Sequence, residues 1–306
     1  MGCLTAIVLG AAGGGGFPQW NCRCPVCQLA WAGDTRVKPR TQASLAVSGD
    51  GERWVLLNAT PDLRAQLLAA RCLQPRAGLR SSPIAAVILT GAEVDQTAGL
   101  LTLRERQAFT VFATADTMAA VDANPIFGVL AAGVVTRKTI AADARFSLPG
   151  GLEVELFAVP GKVALYLEGQ DLKDQDPALA AETGANVGVE IVCGSRRLAY
   201  VPGAAAVTEA LHARLSRADV ILFDATLFTD DEMITTGTGD KTGRRMGHMP
   251  LDGKDGTLAA LSRLRGRRIL THINNTNPIL IEGSPQRRKV EAAGFEVAED
   301  GMEIVL

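Results

Sequence analysis

Short apolar runs rich in β-branched residues recur along the whole chain, and each is closed off by glycine, proline or polar residues. They are LTAIVLG (4–10), ASLAVS (43–48), RWVLLNA (53–59), AAVILT (85–90), FTVFAT (109–114), LEVELFAV (152–159), VGVEIV (187–192), RLAYVP (197–202), DVILFDA (219–225), RRILTHI (267–273), FEVAED (295–300) and MEIVL (302–306). Each has the length and bounding residues of a β-strand. Helix signals fall between several of them. ATPDLRAQLLAA offers Thr60 as N-cap with Pro61 in the first turn, VTEALHARLSRA offers Thr208, and GSPQRRKVEAAG opens on Ser284-Pro285 and stops at Gly294. Strands outnumber helices in the first half and alternate with them in the second. The pattern predicts an α/β (α+β) chain of two sheets packed face to face with helices outside, an αββα four-layer sandwich. The polar stretch 168–186 reads as a surface excursion. No repeat or linker divides the chain, so a single domain over 1–306 is expected.

The formal net charge of -2, with no basic block, argues against nucleic acid or an anionic membrane surface as the partner. The apolar start MGCLTAIVLGAAGGGG lacks a basic region and breaks into glycines, so it reads as a strand feeding a loop and not as a leader or a span. Cys3, Cys72 and Cys193 are scattered in apolar contexts as buried thiols, and the expected compartment is the cytoplasm.

The other three cysteines are crowded into FPQWNCRCPVC as Cys22, Cys24 and Cys27. That spacing lets thiolates from one loop converge on a tetrahedral ion, and a structural zinc wants four protein ligands. Only three histidines are available. His212 lies in a helical segment and His272 ends an apolar strand. His248, in the irregular loop GRRMGHMPLDG, is the expected fourth ligand by elimination. Three reduced thiols in a loop are the bland alternative.

LGAAGGGGFPQW follows a strand, but neither a dinucleotide fingerprint nor a phosphate loop can be drawn through it. Its glycines are expected to let the backbone pass close to a site or a packed neighbour. VILTGAEVDQTAGLL is more informative. A strand ends at Thr90 and a helix begins near Asp95, so Gly91, Glu93, Asp95 and Gln96 share the turn. Asp224 ends a second buried strand and His272 a third. Three strand ends delivering Asp95, Asp224 and His272, with Glu93 nearby, suit iron, manganese or zinc. A plain helix cap and a loop-organising histidine would give the same pattern. Asn58 and Asp62, after another strand, are expected to face the same pocket as substrate-binding groups, with helix capping as the alternative.

The strand, ligand-rich turn and helix at 85–102 resemble the metallo-β-lactamase superfamily, although of its H-x-H-x-D-H turn only the aspartate, Asp95, is present. A closer resemblance, to the pyrroloquinoline quinone (PQQ) biosynthesis protein B family, covers essentially the whole chain. It is carried by GGGFPQWNCRCPVC, KPRTQASLAVS, GERWVLLNATPDLRAQL, AYVPG, LFDATLFTDDEM, GRRMGHMPLDG and THINNTNPIL, in order. The resemblance implies a metallo-β-lactamase-like fold, a structural zinc on the N-terminal loop and an active-site Fe(II). The implied activity is oxygen-dependent hydroxylation of the tyrosine in a Glu-Tyr unit cut from a precursor peptide. Asp95, His272 and Asp224 are the implied catalytic and metal residues, with Glu93 beside them. The family turn reads Asp-Ala-Glu-Ile-Asp-His, so Gly91 and Gln96 each replace a potential ligand here, and Ala204 stands where a cysteine is usual.

An impaired or normal oxygenase is thus the leading expectation, with Gln96 as a weak neutral ligand beside Asp95. A metal-dependent hydrolase and a non-catalytic carrier of PQQ or its precursor are the alternatives. The expected partners are the Glu-Tyr unit or a PQQ-like small molecule, with a homodimer as the assembly. Arg40, Arg64, Arg244 and Arg245 are candidates to receive a substrate carboxylate.

Overall fold

The computed structural model describes residues 4–162, 164, 166 and 184–306. Its strands form two seven-stranded sheets. The first contains β1 (Thr5–Gly10), β2 (Ser44–Ser48), β3 (Trp54–Leu57), β4 (Ile84–Ile88), β5 (Phe109–Ala113), β6 (Val135–Thr139) and β14 (Glu303–Val305), in the order β14-β1-β2-β3-β4-β5-β6. The second contains β7 (Arg145–Leu148), β8 (Leu152–Ala158), β9 (Val187–Cys193), β10 (Arg196–Val201), β11 (Val220–Asp224), β12 (Arg267–Thr271) and β13 (Phe295–Val297), in the order β13-β12-β11-β10-β9-β8-β7. Each sheet is half antiparallel and half parallel. β3 to β6 run parallel in the first, and β10 to β13 in the second.

The alternation of side chains explains the layering. On β11, Val220 and Leu222 point into the core between the sheets, while Ile221 and Phe223 point to the other face. On β4, Ala86 and Ile88 point inward and Ile84 and Val87 outward. Strands buried on both faces need a cover outside each sheet. α2 (Leu63–Ala69) and α4 (Ala115–Ala123) contribute Leu63, Met118 and Val121 to the outer core of the first sheet. α5 (Glu209–Leu215) and α8 (Pro285–Ala292) contribute Leu211, Leu215 and Val290 to that of the second. Burying each such side chain contributes about 1.5–3 kcal/mol. The four-layer expectation is met.

Two of the three expected caps are observed. Thr208 accepts from Leu211 N at 3.2 Å, and Ser284 accepts from Arg287 N at 2.9 Å with Pro285 in the first turn. The third is displaced: α2 starts at Leu63 after Asp62, and the Thr60 hydroxyl instead donates to Gln66 Oε1 at 3.2 Å. Most of the expected excursion at 168–186 lies outside the described residues.

Candidate active site and metal centre

Parallel strands deliver their carboxyl ends to one edge of the sandwich, where crossovers open a crevice. The turn after β4 supplies Asp95 in the first turn of α3 (Val94–Thr97). Its neighbours are otherwise engaged. The Glu93 side chain caps the helix, and its carboxylate lies 3.8 Å from Lys162 Nζ. Gln96 Oε1 accepts from Glu93 N at 3.1 Å, and its Nε2 donates to Thr90 Oγ1 at 3.3 Å. A β-carbon at Gly91 would come 2.5 Å from Gln96 Oε1, so this glutamine folds into space that only a glycine leaves. The expectation of Gln96 as a neutral ligand is therefore corrected: its amide secures the turn.

β11 ends at Asp224, and His272 follows β12. The His272 backbone has φ 55°, a left-handed conformation that costs a non-glycine residue of order 1 kcal/mol or more. It is held on both sides: Ile273 N donates to Ala11 O at 2.9 Å, and Asn274 N to Thr226 O at 3.0 Å. His272 Nε2 lies 3.0 Å from Asp95 Oδ2, which joins the two sheets across the site. Asp224 Oδ2 lies 2.7 Å from Nδ1 of His248, whose loop is pinned by Met249 N donating to Ala204 O. The two imidazoles stack with centroids 5.1 Å apart and planes 17° apart. Both turn Nδ1 toward the Thr226 hydroxyl, at 3.0 Å for His248 and 2.9 Å for His272.

Asp224, His248 and His272 thus form a metal-capable group, with one ligand atom from each within 4.8 Å of the others. The Nδ1 side of this group is filled by Thr226, and Asp224 stands behind the rings, fully buried. The Nε2 side faces Asp95 and an open cavity of about 760 Å³. The glycine loop forms part of its wall: a β-carbon on Gly13 would lie 3.5 Å from His272 Cε1, and one on Gly14 3.8 Å from Asp95 Oδ2. Those glycines do let backbone approach a site.

Burial opposes a charge on each of these groups, yet the pairings outweigh it. Asp95 lies below its ordinary pKa through His272 and His248, and Asp224 below its own through His248, His272 and Thr226. His272 is raised above the ordinary histidine value, chiefly by Asp95 and then Asp224. The signs are opposite for the two partners. The His272 contribution to folding is complete below its unfolded value of about 6.5 and is lost as pH rises through the raised value. The Asp95 contribution is present above its unfolded value of about 3.9 and is lost as pH falls through the lowered one. A metal on His272 must displace this proton. Affinity of the cavity for Fe(II) or Zn(II) is therefore expected to climb with pH through and above about 6.5, then level off. Chelator-competition titrations across that range check it, and a flat profile would contradict it.

The cysteines form a second centre. Cys22, Cys24 and Cys27 place their sulfurs within 4.8 Å of one another, with Cys24 and Cys27 buried. The Cys24 sulfur also caps α1 (Pro25–Trp31), accepting from Cys27 N at 3.4 Å. Burial pushes the Cys24 thiol up to about 12. The structure does not bring His248 here, because its loop is committed to Asp224 and Ala204. The polar neighbour is Asn275, whose Nδ2 lies 3.1 Å from Cys22 Sγ and 3.3 Å from Cys27 Sγ. Its backbone oxygen lies 3.6 Å from Cys24 Sγ.

The expected substrate groups also move. Neither Asn58 nor Asp62 lines the cavity. Asn58, at φ 67° and 1% exposed, accepts from Thr90 N and Oγ1 at 2.9 and 3.0 Å. Asp62 Oδ2 accepts from Gln42 N and Nε2 at 2.9 and 3.0 Å. Both brace the walls, Asn58 behind the Asp95 turn and Asp62 behind Gln42. None of the four candidate arginines lines the cavity either; among the described residues, the lysines that do are Lys162 and Lys241. Arg40 is buried on Ala298 O, Lys38 O and Glu299. Sequence reasoning missed Thr226, whose only signal is its place two residues beyond the end of a buried strand.

The β-lactamase superfamily domain family matches residues 53–273. Coenzyme PQQ synthesis protein B of Methylobacterium nodulans is 56% identical over 304 residues, which cover 99% of this chain and 100% of the relative. That of Rhizobium meliloti is 55% identical over 304 residues, covering 99% and 98%. Among solved structures, Zn(2+)-bound PqqB from Methylobacterium extorquens is similar at TM-score 0.95 and 54% identity, covering 99% of this chain and 100% of that one. A diphosphatase of the PhnP family shares the fold alone, at TM-score 0.69 and 19% identity over 99% of this chain and 97% of that one. Identity of this degree over nearly every residue, on one fold, places the chain in the coenzyme PQQ synthesis protein B family of the β-lactamase superfamily.

Proposed function

We propose that this chain is a metal-dependent oxygenase of PQQ biosynthesis that hydroxylates the tyrosine ring of a Glu-Tyr unit cut from a peptide precursor. The observation that carries the reading is the donor group at the cavity: two imidazoles, His248 and His272, with the Asp224 carboxylate, and Asp95 across from them on His272 Nε2. Two histidines and one carboxylate with open positions are the donors of non-haem Fe(II) oxygenases. Bound there, Fe(II) would supply the oxygen chemistry. The chain's own residues do the rest. Thr226 braces both rings on their Nδ1 side, as supporting partners of metal-ligating histidines do. Ala92, Val94, Ala164 and Met246 give the cavity apolar surface for an aromatic ring, and Lys162 and Lys241 give it positive charge for carboxylates. At the cysteine loop we propose a separate structural zinc on Cys22, Cys24 and Cys27, with Asn275 beside it in place of His248.

The test is a single turnover. Protein loaded anaerobically with Fe(II) is mixed with a Glu-Tyr peptide, oxygen and ascorbate; one oxygen atom enters the ring, and the other leaves as water with two electrons from ascorbate. A hydroxylated peptide is expected, and His248→Ala should lower its yield by a hundredfold or so, the order that general acid–base and metal ligands supply. The carrier reading draws on the capped Glu93 and Gln96, which leave Asp95 as the donor of that turn. Tight binding of PQQ or the peptide with no product from the wild type would favour it.

A further inference from the structure

We propose that Asn186 Oδ1 and Asn274 Oδ1 are two preset hydrogen-bond acceptors on the cavity wall, which select a ligand carrying an ammonium or phenol donor. The ligand is the peptide unit proposed above, and the inference rests on that reading. It follows from where each side-chain amide on the wall spends its two ends. Such an amide has one accepting oxygen and one donating NH₂ group. Gln42, Gln96, Asn186 and Asn274 line the cavity. The two glutamines are engaged at both ends. Gln42 Oε1 accepts from Gly15 N at 3.2 Å and its Nε2 donates to Asp62 Oδ2 at 3.0 Å, while Gln96 closes the turn between Glu93 N and Thr90 Oγ1.

The asparagines are held by one end only. Asn186 Nδ2 donates to Gly203 O at 3.1 Å and Val159 O at 3.5 Å, and two carbonyl oxygens can be met only by the NH₂ end. A β-carbon at Gly161 would come 2.3 Å from that nitrogen, so a glycine makes room for it. Asn274 Nδ2 donates to Thr276 Oγ1 at 2.6 Å and to Met233 Sδ at 3.3 Å. The thioether has no hydrogen to give, and the Thr276 hydroxyl donates to buried Glu232 Oε1 at 2.6 Å. Both amides are thereby fixed against a flip. Among the described residues, no group donates to either oxygen. A β-carbon on Gly203, itself on the lining, would lie 3.8 Å from Asn186 Oδ1 and 3.4 Å from His248 Cε1, so this oxygen sits beside the His248 ring. An acceptor already oriented loses little freedom when a donor arrives, which favours binding.

Calorimetric titration of the full chain with Glu-Tyr, N-acetyl-Glu-Tyr and Glu-Phe reads the two donors separately. The acetyl group removes the ammonium, and phenylalanine removes the phenol. Loss of the donor that the asparagines take should weaken binding roughly five- to a hundredfold, the range from a neutral to a charged hydrogen bond. Asn186→Leu combined with Asn274→Leu should erase that difference, whereas a merely structural role would weaken all three peptides alike. Equal affinity of the three for the wild type overturns the proposal, and so does a difference that survives in the folded double variant. If the leucines prevent folding, ¹³C-labelled asparagine in the wild type decides: the side-chain carbonyl signals of Asn186 and Asn274 should move on adding Glu-Tyr, and unmoved signals overturn the assignment. Donor selectivity with no hydroxylated product supports the acceptors and sinks the oxygenase reading. Hydroxylated product without donor selectivity does the reverse, and no binding of any of the three overturns both.

Discussion

Cys24→Ser is expected to release the zinc proposed for the cysteine loop and to destabilise the fold by roughly 4–5 kcal/mol, because loss of a metal is among the few single-site changes that reach that size. Cys24 and Cys27 belong to the same core as Phe17, Val26, Ile273 and Ile279. The ion would tie the 17–31 loop to the segment following β12. Without it, serine leaves the buried Cys27 thiol, the half-buried Cys22 thiol and the Asn275 amide with a poorer partner. The melting temperature should fall by about 10 °C, given a shift of about 2–4 °C per kcal/mol in chains of this class. Metal analysis and a thermal scan on the same preparation measure both effects, and full retention of zinc would overturn the assignment. Because Asn275 lies three residues beyond His272, affinity at the cavity should weaken in the same variant.

Asn58→Ala is expected to destabilise the protein by about 2–4 kcal/mol while leaving peptide affinity per folded molecule nearly unchanged. Two costs combine. The Thr90 N–H and hydroxyl lose a buried acceptor, at about 1–3 kcal/mol, and alanine must adopt φ 67°, at about 1 kcal/mol or more. Asn58→Gly separates them, since glycine takes that conformation freely but still removes the acceptor. Urea unfolding of both variants should rank alanine below glycine. Equal stabilities would remove the strain argument, and a large loss of peptide affinity in folded Asn58→Ala would restore Asn58 as a substrate group.

The architecture was legible because both-face burial leaves a mark in composition. DVILFDA and AAVILT are strand-length runs that only a covered sheet can hold, and Asp224 and His272 sit at the strand ends where such a sheet places its ligands. The long-range choices were not legible. His248 was assigned to the cysteines because the cysteines lacked a fourth partner, but its loop is anchored by Met249 on Ala204 and its ring by Asp224, contacts that bridge 45 and 24 residues and carry no local signal. Gln96 looked like a weakened ligand because position alone was visible; the mutual fit of its amide with Gly91 appears only when the turn is built. Asn58 and Asp62 look equally like substrate groups and helix caps in the sequence; their side chains instead take Thr90 and Gln42 behind the cavity wall, long-range choices that leave no local mark.

The pairing of β14 with β1 bears on when the site can exist at all. Thr5 lies opposite Val305 and Ile7 opposite Glu303, while Asp300 accepts from Ala11 N and Thr41 N. Residues 5–10 leave the ribosome about 15–60 s before residues 303–305 at synthesis rates of about 5–20 residues per second. Until then β1 is an open edge, and the glycine loop that runs from it to His272 lacks its outer anchor. The half-made chain thus lacks both the His272 wall of the cavity and the Asn275 side of the cysteine cluster, so both centres take shape only once the segment after β12 has been made.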